Sequence, residues 1–467
     1  MTANLAEAAE FDAAPPFPDE ELFAATELLQ QLLRIDTSNP PGNEKEAIRL
    51  LESEAAELGL ATEIDGRHGD RPNLVAKWSA NPANCTNRPL IISCHIDVVP
   101  ADAARWTHPP FAGHLEDDHL WGRGAIDMKG FAVMGFAALT RLFRESLPIN
   151  RDVLFVAVSD EEAGTRYGSE WLVENRPDLL GSKPEYVINE VGGFTIHQAG
   201  FRFYPIQIAE KGVAWLRLTL DGSPGHSSMP ASNSSVERLA NAVSAISAAQ
   251  LPWHPGPEAE AYIRGFADPT GWLARKVVGG VFHPRHGPRL LKWAVPSESR
   301  RGSLEAILRN TATPTCLRSG ESINMIPSRA SVDIDGRLVP GQSAYDLIAE
   351  LREVLPPDLR EVSQFEILHE SPAVTFSKET RLYREIEATI HQADPGAIPL
   401  PSIIPGFTDS RNYAKLGADC YGFYPVKLPP ELDFATMFHG DDERIPVEGF
   451  HWGIKTLTEL LRRFLVS

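Results

Sequence analysis

The chain of 467 residues has only four cysteines, Cys85, Cys94, Cys316 and Cys420, and no CxxC pair. That excludes a disulfide scaffold and a zinc-finger pattern. Basic residues are also short: 44 Lys and Arg stand against 63 Asp and Glu, a formal charge of −19. This balance argues against nucleic acid or an anionic membrane surface as a partner, because both reward basic patches. No apolar run approaches the length needed to span a bilayer. The opening "MTANLAEAAEFDAAPPFPDEE" lacks a basic region followed by an apolar one, so no signal peptide is read there. A soluble cytoplasmic protein is the expectation, with the first twenty or so residues as a loose tail. Internal repeats and low-complexity segments are missing too.

What is present is an ordinary globular composition, 43% hydrophobic and 23% charged, in a chain long enough for two domains. Apolar spacing predicts helices over roughly 19–34 and from Ala47 to Leu58. "NLVAKW" (73–78), "PLIISCHIDVV" (89–99), "DVLFVAVS" (152–159) and "YVINE" (186–190) read as strands, the second almost wholly apolar and therefore central. Helices at 128–143 and from "YGSEWLVEN" alternate with them, which argues for an α/β sheet covered by helices. The texture changes near Gly212. "VAWLRLTLDG" and "RASVDIDGRLVP" alternate apolar and polar residues, and the helix "SSVERLANAVSAISAAQ" lies between. An α+β domain inserted over 213–338 is the reading, with 1–212 and 339–467 forming the first domain. Residues 251–315, rich in Pro, Gly, Trp and Arg, read as irregular. "SAYDLIAELREVL" could be a helix on either side of the boundary, and an amphipathic final helix closes the first domain.

Carboxylates and histidines gather where the predicted strands end. His95 and Asp97 end one strand, Glu161 and Glu162 follow "VLFVAV", Glu190 follows "YVIN", and Asp127 lies in the turn "GRGAIDMKG" before a helix. Ligands of open α/β sheets bind outside the carboxyl ends of the strands, so these residues are expected to converge. Imidazole and carboxylate together suit zinc, manganese or cobalt. In His-x-Asp, Asp97 can accept a hydrogen bond from the free ring nitrogen of His95 and fix its tautomer. Singly, each residue has an ordinary explanation: a loop histidine, a helix cap, a solvated glutamate pair. The joint pattern is what argues for a metal site.

"CHIDVVPA", "WGRGAIDMKG", "SDEEAG", "INE", "SPGHSSMP", "NMIPSRASVDIDGR", "GFTDSRNY" and "FHGDDERIP" resemble, in order, the motifs of the M20 metallopeptidases, which include aminoacylase-1, carboxypeptidase S and succinyl-diaminopimelate desuccinylase. The resemblance implies a zinc-peptidase-like α/β domain, with a mixed, helix-covered sheet, interrupted by a smaller α+β lid that often mediates homodimers. It implies two Zn2+ ions, with Co2+ or Mn2+ as substitutes: one bound by His95 and Glu190, the other by Glu162 and His439, with Asp127 bridging. It further implies that Asp97 orients His95, that Glu161 is the general base, and that the Asp127–Met128 bond is cis. His226 of "SPGHSSMP" would reach a partner's active site and stabilise the oxyanion. Asn324, Arg337 and Arg411 match substrate-contacting positions, the arginines suiting a free carboxylate; salt bridges to Asp333 or Asp409 are the alternative for them. Asp442 replaces an Asn found in many relatives. The 251–315 insert resembles the enlarged lid of the carboxypeptidase S and N-acyl-amino-acid hydrolase branch. The expected reaction is hydrolysis of an amide bond in an N-acyl amino acid or small peptide. A desuccinylase, dipeptidase or N-carbamoyl amidohydrolase is the alternative, and an inactive binding module a remote one.

Overall fold

The computed structural model describes residues 17–229, 232–432 and 434–466. The expected loose tail therefore lies mostly outside the described residues. The larger unit is built on a ten-stranded mixed sheet. At its centre, Val153–Val158, Leu90–His95, Tyr186–Asn189 and Asp419–Gly422 run parallel. All four are buried or nearly so, as strands covered on both faces must be. Arg71–Trp78 and Ala61–His68 extend the sheet antiparallel on one side, and Phe201–Glu210 and its neighbours extend it on the other. The helices Asp19–Arg34, Lys129–Arg144 and Val447–Leu465 pack together. Glycine permits the approach of the last two: a Cβ on Gly453 would lie 2.3 Å from Met134 Cε.

Register decides where the chemistry falls. His95 lies opposite Val158 in the parallel ladder. The strand ending in His95 and the turn carrying Glu161 and Glu162 therefore finish at one level. Tyr186–Asn189 places Glu190 beside them.

The smaller unit is a four-stranded antiparallel sheet in the order Thr311–Ser319, Arg329–Leu338, Gly212–Asp221, Gln364–Ser371. Its core joins Leu216, Leu218 and Leu220 to Leu239 and Ile246 of the helix Ser235–Ala248, and to Leu347 and Leu351 of the helix Ala344–Val354. The boundary expected at 338 needs correction. The next helix buries its apolar face on this sheet, and the strand 364–371 pairs along Gly212–Asp221, so the unit runs to about residue 371.

The 251–315 segment also differs from the irregular reading. It forms four helices, Pro257–Ala267, Trp272–Val281, Gly287–Ala294 and Glu298–Leu308, before entering Thr311–Ser319. Its core includes Ala209 and Ile403, so these helices cover the edge of the large sheet and are not part of the small one.

The two units are joined through both ends of the 251–315 insert and at one narrow crossing. Phe201–Glu210 leaves the large sheet, passes through Lys211, and becomes Gly212–Asp221. The return path runs past Ser371 and Ala373 to Val374, opposite Glu210. The two crossings touch: a Cβ on Gly212 would stand 2.6 Å from the Ala373 nitrogen. Lys211 is buried there, its Nζ donating to the carbonyls of Ala306 and Arg309 at 2.7 and 2.9 Å.

Candidate metal centre

Two histidine–carboxylate groups form beyond the strand ends and share one residue. His95, Asp127 and Glu190 make the first; Asp127, Glu162 and His439 make the second. His95 Nε2 lies 3.1 Å from Asp127 Oδ1 and 3.6 Å from Glu190 Oε2. His439 Nε2 lies 3.0 Å from Asp127 Oδ2 and 3.2 Å from Glu162 Oε2. Asp127 thus presents one oxygen to each histidine, as a bridging carboxylate would. Glu162 Oε1 is buried without a hydrogen bond, and only the His439 ring nitrogen meets the buried Asp127 Oδ2. Buried acceptors left in this way are costly unless a cation or proton meets them. The donor set and these buried oxygens fit two divalent cations of the zinc, manganese or cobalt kind.

Without cations, protons carry the compensation. Burial opposes a charge on Asp127, yet the ring nitrogens of His439 and His95 hold it below the usual carboxylate range. Burial and the charge of Asp127 push Glu162 up to about 7, and burial pushes Glu190 up to about 8. Hydrogen bonds to Asp127 and Glu162 raise His439 to about 10. Glu161 belongs to neither group; burial and the neighbouring charge of Glu190 raise it well above its ordinary value.

The role expected for the Asp97 side chain is corrected. His95 Nδ1 donates to the backbone carbonyl of Asp97 at 2.9 Å, while the Asp97 carboxylate is 3.6 Å away. A carbonyl can only accept, so the ring carries its proton on Nδ1 and offers Nε2 to a metal. The Asp97 carboxylate instead accepts the backbone N–H groups of Glu161 and Glu162, each at 3.1 Å, and the Asn39 side-chain amide at 2.8 Å.

A matching support went unread in the sequence. Glu443, fully buried, accepts the backbone N–H groups of Ile126 and Asp127 on one oxygen, at 2.7 and 2.9 Å. Its other oxygen takes Gly124 N–H and the Arg123 guanidinium. The turn that carries Asp127 is therefore clamped from the His439 loop. The Asp127–Met128 bond is cis, as expected. Asp442, the unusual acid of that loop, accepts from Thr107 N–H and Oγ1 at 2.7 and 2.8 Å. Asp160, in the run "SDEEAG", is buried and ion-paired to Arg71 at 3.0 Å; Arg71 in turn holds Glu44 at 2.8 Å.

The residues expected to contact substrate are more scattered. His226 is exposed on a two-stranded ribbon of the smaller unit, opposite Met325. Its Nδ1 accepts the Ser228 N–H at 3.2 Å, which leaves Nε2 as the donor of the neutral ring. Asn324 is exposed on the same ribbon's loop and accepts from Ser322 Oγ at 2.5 Å. Arg337 makes a two-pronged pair with Asp335, at 2.9 and 3.0 Å, rather than with Asp333, which Arg217 and Arg318 occupy. The Asp409 carboxylate accepts from Ser169 and does not pair with Arg411. Arg411 has no carboxylate partner among the described residues. Its guanidinium lies 3.8 Å from the centre of the Phe407 ring, and Arg337 approaches that ring at 5.3 Å.

Known proteins carry the same architecture. The chain is 28% identical over 405 residues to a protein named probable carboxypeptidase S-like 2 from Dictyostelium discoideum, covering 81% of this chain and 72% of that one. It is 28% identical over 394 residues to the N-fatty-acyl-amino acid synthase/hydrolase PM20D1 of Bos taurus, covering 80% and 74%. Among solved structures, the M20 family metallo-carboxypeptidase Sso-CP2 from Sulfolobus solfataricus has the same fold, with a TM-score of 0.66, 22% identity, and coverage of 95% and 99%. The model of peptidase family M20/M25/M40 matches residues 91–463. On that match, and with its histidines and carboxylates gathered as described, the chain belongs to peptidase family M20/M25/M40.

Proposed function

We propose that this M20 metallohydrolase cleaves the amide bond of N-acyl amino acids, or of small peptides, that carry a free carboxylate. The observation that carries the reading is the pair of histidine–carboxylate groups sharing Asp127, with Glu161 buried beside them and committed to neither. The relative named for N-fatty-acyl-amino acid hydrolysis favours the acylated substrate over a plain peptide.

His95 and Glu190 would hold one divalent cation, Glu162 and His439 the other, and Asp127 both. Two such cations polarise a carbonyl and lower the pKa of water toward about 7. Glu161 takes the proton of the attacking water and returns it to the leaving nitrogen. The raised pKa that burial and Glu190 give it is the direction a proton carrier at neutral pH needs. Arg411, free of a carboxylate partner, is the group that receives the substrate's carboxylate; Arg337, already bonded to Asp335, supports the Phe407 ring between them. His226 and Asn324 would complete the site from the lid of a second copy, with the Nε2–H of His226 aimed at the developing oxyanion.

Glu161→Gln tests the reading. Metal content should stay at two per chain, and turnover of N-acyl amino acids should fall about 10²- to 10⁴-fold. Assayed beside dipeptides and N-carbamoyl amino acids, the wild type should prefer the acylated substrates. Unchanged turnover in the variant removes Glu161 from the reaction, and a preference for dipeptides or carbamoyl compounds replaces the substrate class.

A further inference from the structure

Two helices of the 251–315 insert carry a surface that hydrolysis does not use. Residues 269–297 contain no Asp or Glu, in a chain with 63 of them, and five Arg or Lys. Arg275 and Lys276 lie on Trp272–Val281, Arg285 in the turn, and Arg289 and Lys292 on Gly287–Ala294. All five are exposed, and none has an ion-pair partner among the described residues. Glu298 and Glu305 line a hollow with Arg289 and Lys292 without pairing with either; the nearby pairs are Arg264 with Glu260, and Arg301 and Arg309 with Glu305. Large apolar groups are exposed on the same two helices: Trp272 at 71%, Leu273 at 59% and Trp293 at 72%.

The helices are anchored by their other side. Val281, Phe282 and Leu291 are buried in the cluster that includes Ile403 of the large sheet. The chain reverses between them, where the Gly287 N–H donates to the His283 carbonyl at 2.7 Å. Trp272 opens the first helix and Trp293 stands near the close of the second, so both indoles lie at the ends away from the turn. Exposed indoles forgo a large burial of apolar area, and unpaired cations forgo local neutralisation. Indole and leucine beside Arg and Lys are the composition that settles at a membrane interface, rings at headgroup depth and cations over acidic headgroups.

We propose that this helical hairpin docks the protein on an anionic lipid bilayer. The rest of the molecule carries the net negative charge, so this face is the one an acidic surface attracts. The expectation drawn from the total charge, that a membrane surface is disfavoured, is replaced here by the local charge. A nucleic acid would meet the cations but leave Leu273 and the short, isolated indole-bearing ends without a function, which is why lipid is preferred.

The metal-loaded, full-length protein tests this by flotation with phosphatidylcholine vesicles, with and without 30% phosphatidylglycerol, at low and high salt. Binding is expected only to the anionic vesicles, weakening as salt rises. The double variant Arg289→Gln/Lys292→Gln should bind about 25-fold more weakly, at roughly fivefold per cation. Trp272→Ser/Trp293→Ser should lose binding and the blue shift of tryptophan emission that vesicles induce in the wild type. Both variants change exposed side chains, and unaltered thermal melting and hydrolysis establish that they are folded. Equal binding to neutral vesicles, no binding at low salt, or wild-type binding by both variants overturns the proposal. So does tighter binding to a DNA oligonucleotide than to the vesicles, or a self-association in sedimentation velocity that the Trp272→Ser/Trp293→Ser variant abolishes.

Discussion

The Asp97 carboxylate accepts the backbone N–H of Glu161 at 3.1 Å, and its second oxygen takes the next amide, that of Glu162, at the same distance. One side chain thereby fixes the segment that carries both the proposed base and a metal ligand. Its own carbonyl, and not this carboxylate, holds His95. Asp97→Ala should therefore destabilise the fold by about 3 kcal/mol or more, since two buried N–H groups lose a charged acceptor. It should lower kcat while leaving the cation at His95 in place. Metal analysis beside thermal melting checks this; loss of that cation would assign the His95 interaction to the carboxylate after all.

The two metal groups predict unequal losses. Glu162→Gln or His439→Ala should remove the cation they share and leave the other, taking the count from two to one. Glu190→Gln should do the reverse. Asp127→Asn, which touches both, should lower the affinity of each. Metal stoichiometry after dialysis against a weak chelator reads all of these.

Loading the site should release protons. Glu190 at about 8 and His439 at about 10 hold protons at pH 7.5, and Glu162 at about 7 holds a fraction of one. A group with a raised pKa keeps its proton below that pKa, so protons compete harder with metal as pH falls. Zinc affinity should weaken steadily from pH 8 to pH 6. Calorimetric titration in buffers of different ionisation enthalpy should count at least one proton released per chain. A pH-independent affinity would mean that the cluster does not take up the metal.

Arg411 sits against the Phe407 ring without a carboxylate of its own. If it receives the substrate's carboxylate, Arg411→Ala should raise KM about tenfold or more for an N-acyl amino acid, with kcat much less affected. The same variant should hydrolyse the corresponding amino acid amide as the wild type does. An equal loss on both substrates would mark the arginine as structural. Arg337→Ala, which frees Asp335, should instead lower stability.

Wholly apolar runs marked the central parallel strands, so His95, Glu161, Glu162 and Glu190 could be put at one end of a sheet before any coordinates. Asp127 is placed by its turn before a helix, and His439 only by the motif around it. Glu443 and Asp160 were not found, because a carboxylate buried by distant parts of the chain looks like any surface acid in sequence. The helices of the insert were hidden by composition. Pro257 and Pro288 lie in first turns, where proline is tolerated, and so read as breaks what are starts. Pro205 likewise interrupts the pattern of Phe201–Glu210, which is nonetheless a strand with a parallel partner. The end of the smaller unit near residue 371 is not legible in sequence, because the alternation of 364–371 gives no sign of which sheet it joins.

At Gly212 the outgoing and returning chains pass so closely that no side chain fits between them. The smaller sheet is an arm joined to the larger one there and again through both ends of the insert, so it is held at more than one place. Glu210 and Val374 pair beside the Gly212 crossing, and the ribbon that carries His226 belongs to the same arm. His254 braces this arm by its contact with Glu350, joining the insert to the smaller unit. The arm is thereby tied to the large sheet along two separate seams, so a side chain placed at Gly212 would loosen one of them and leave the other.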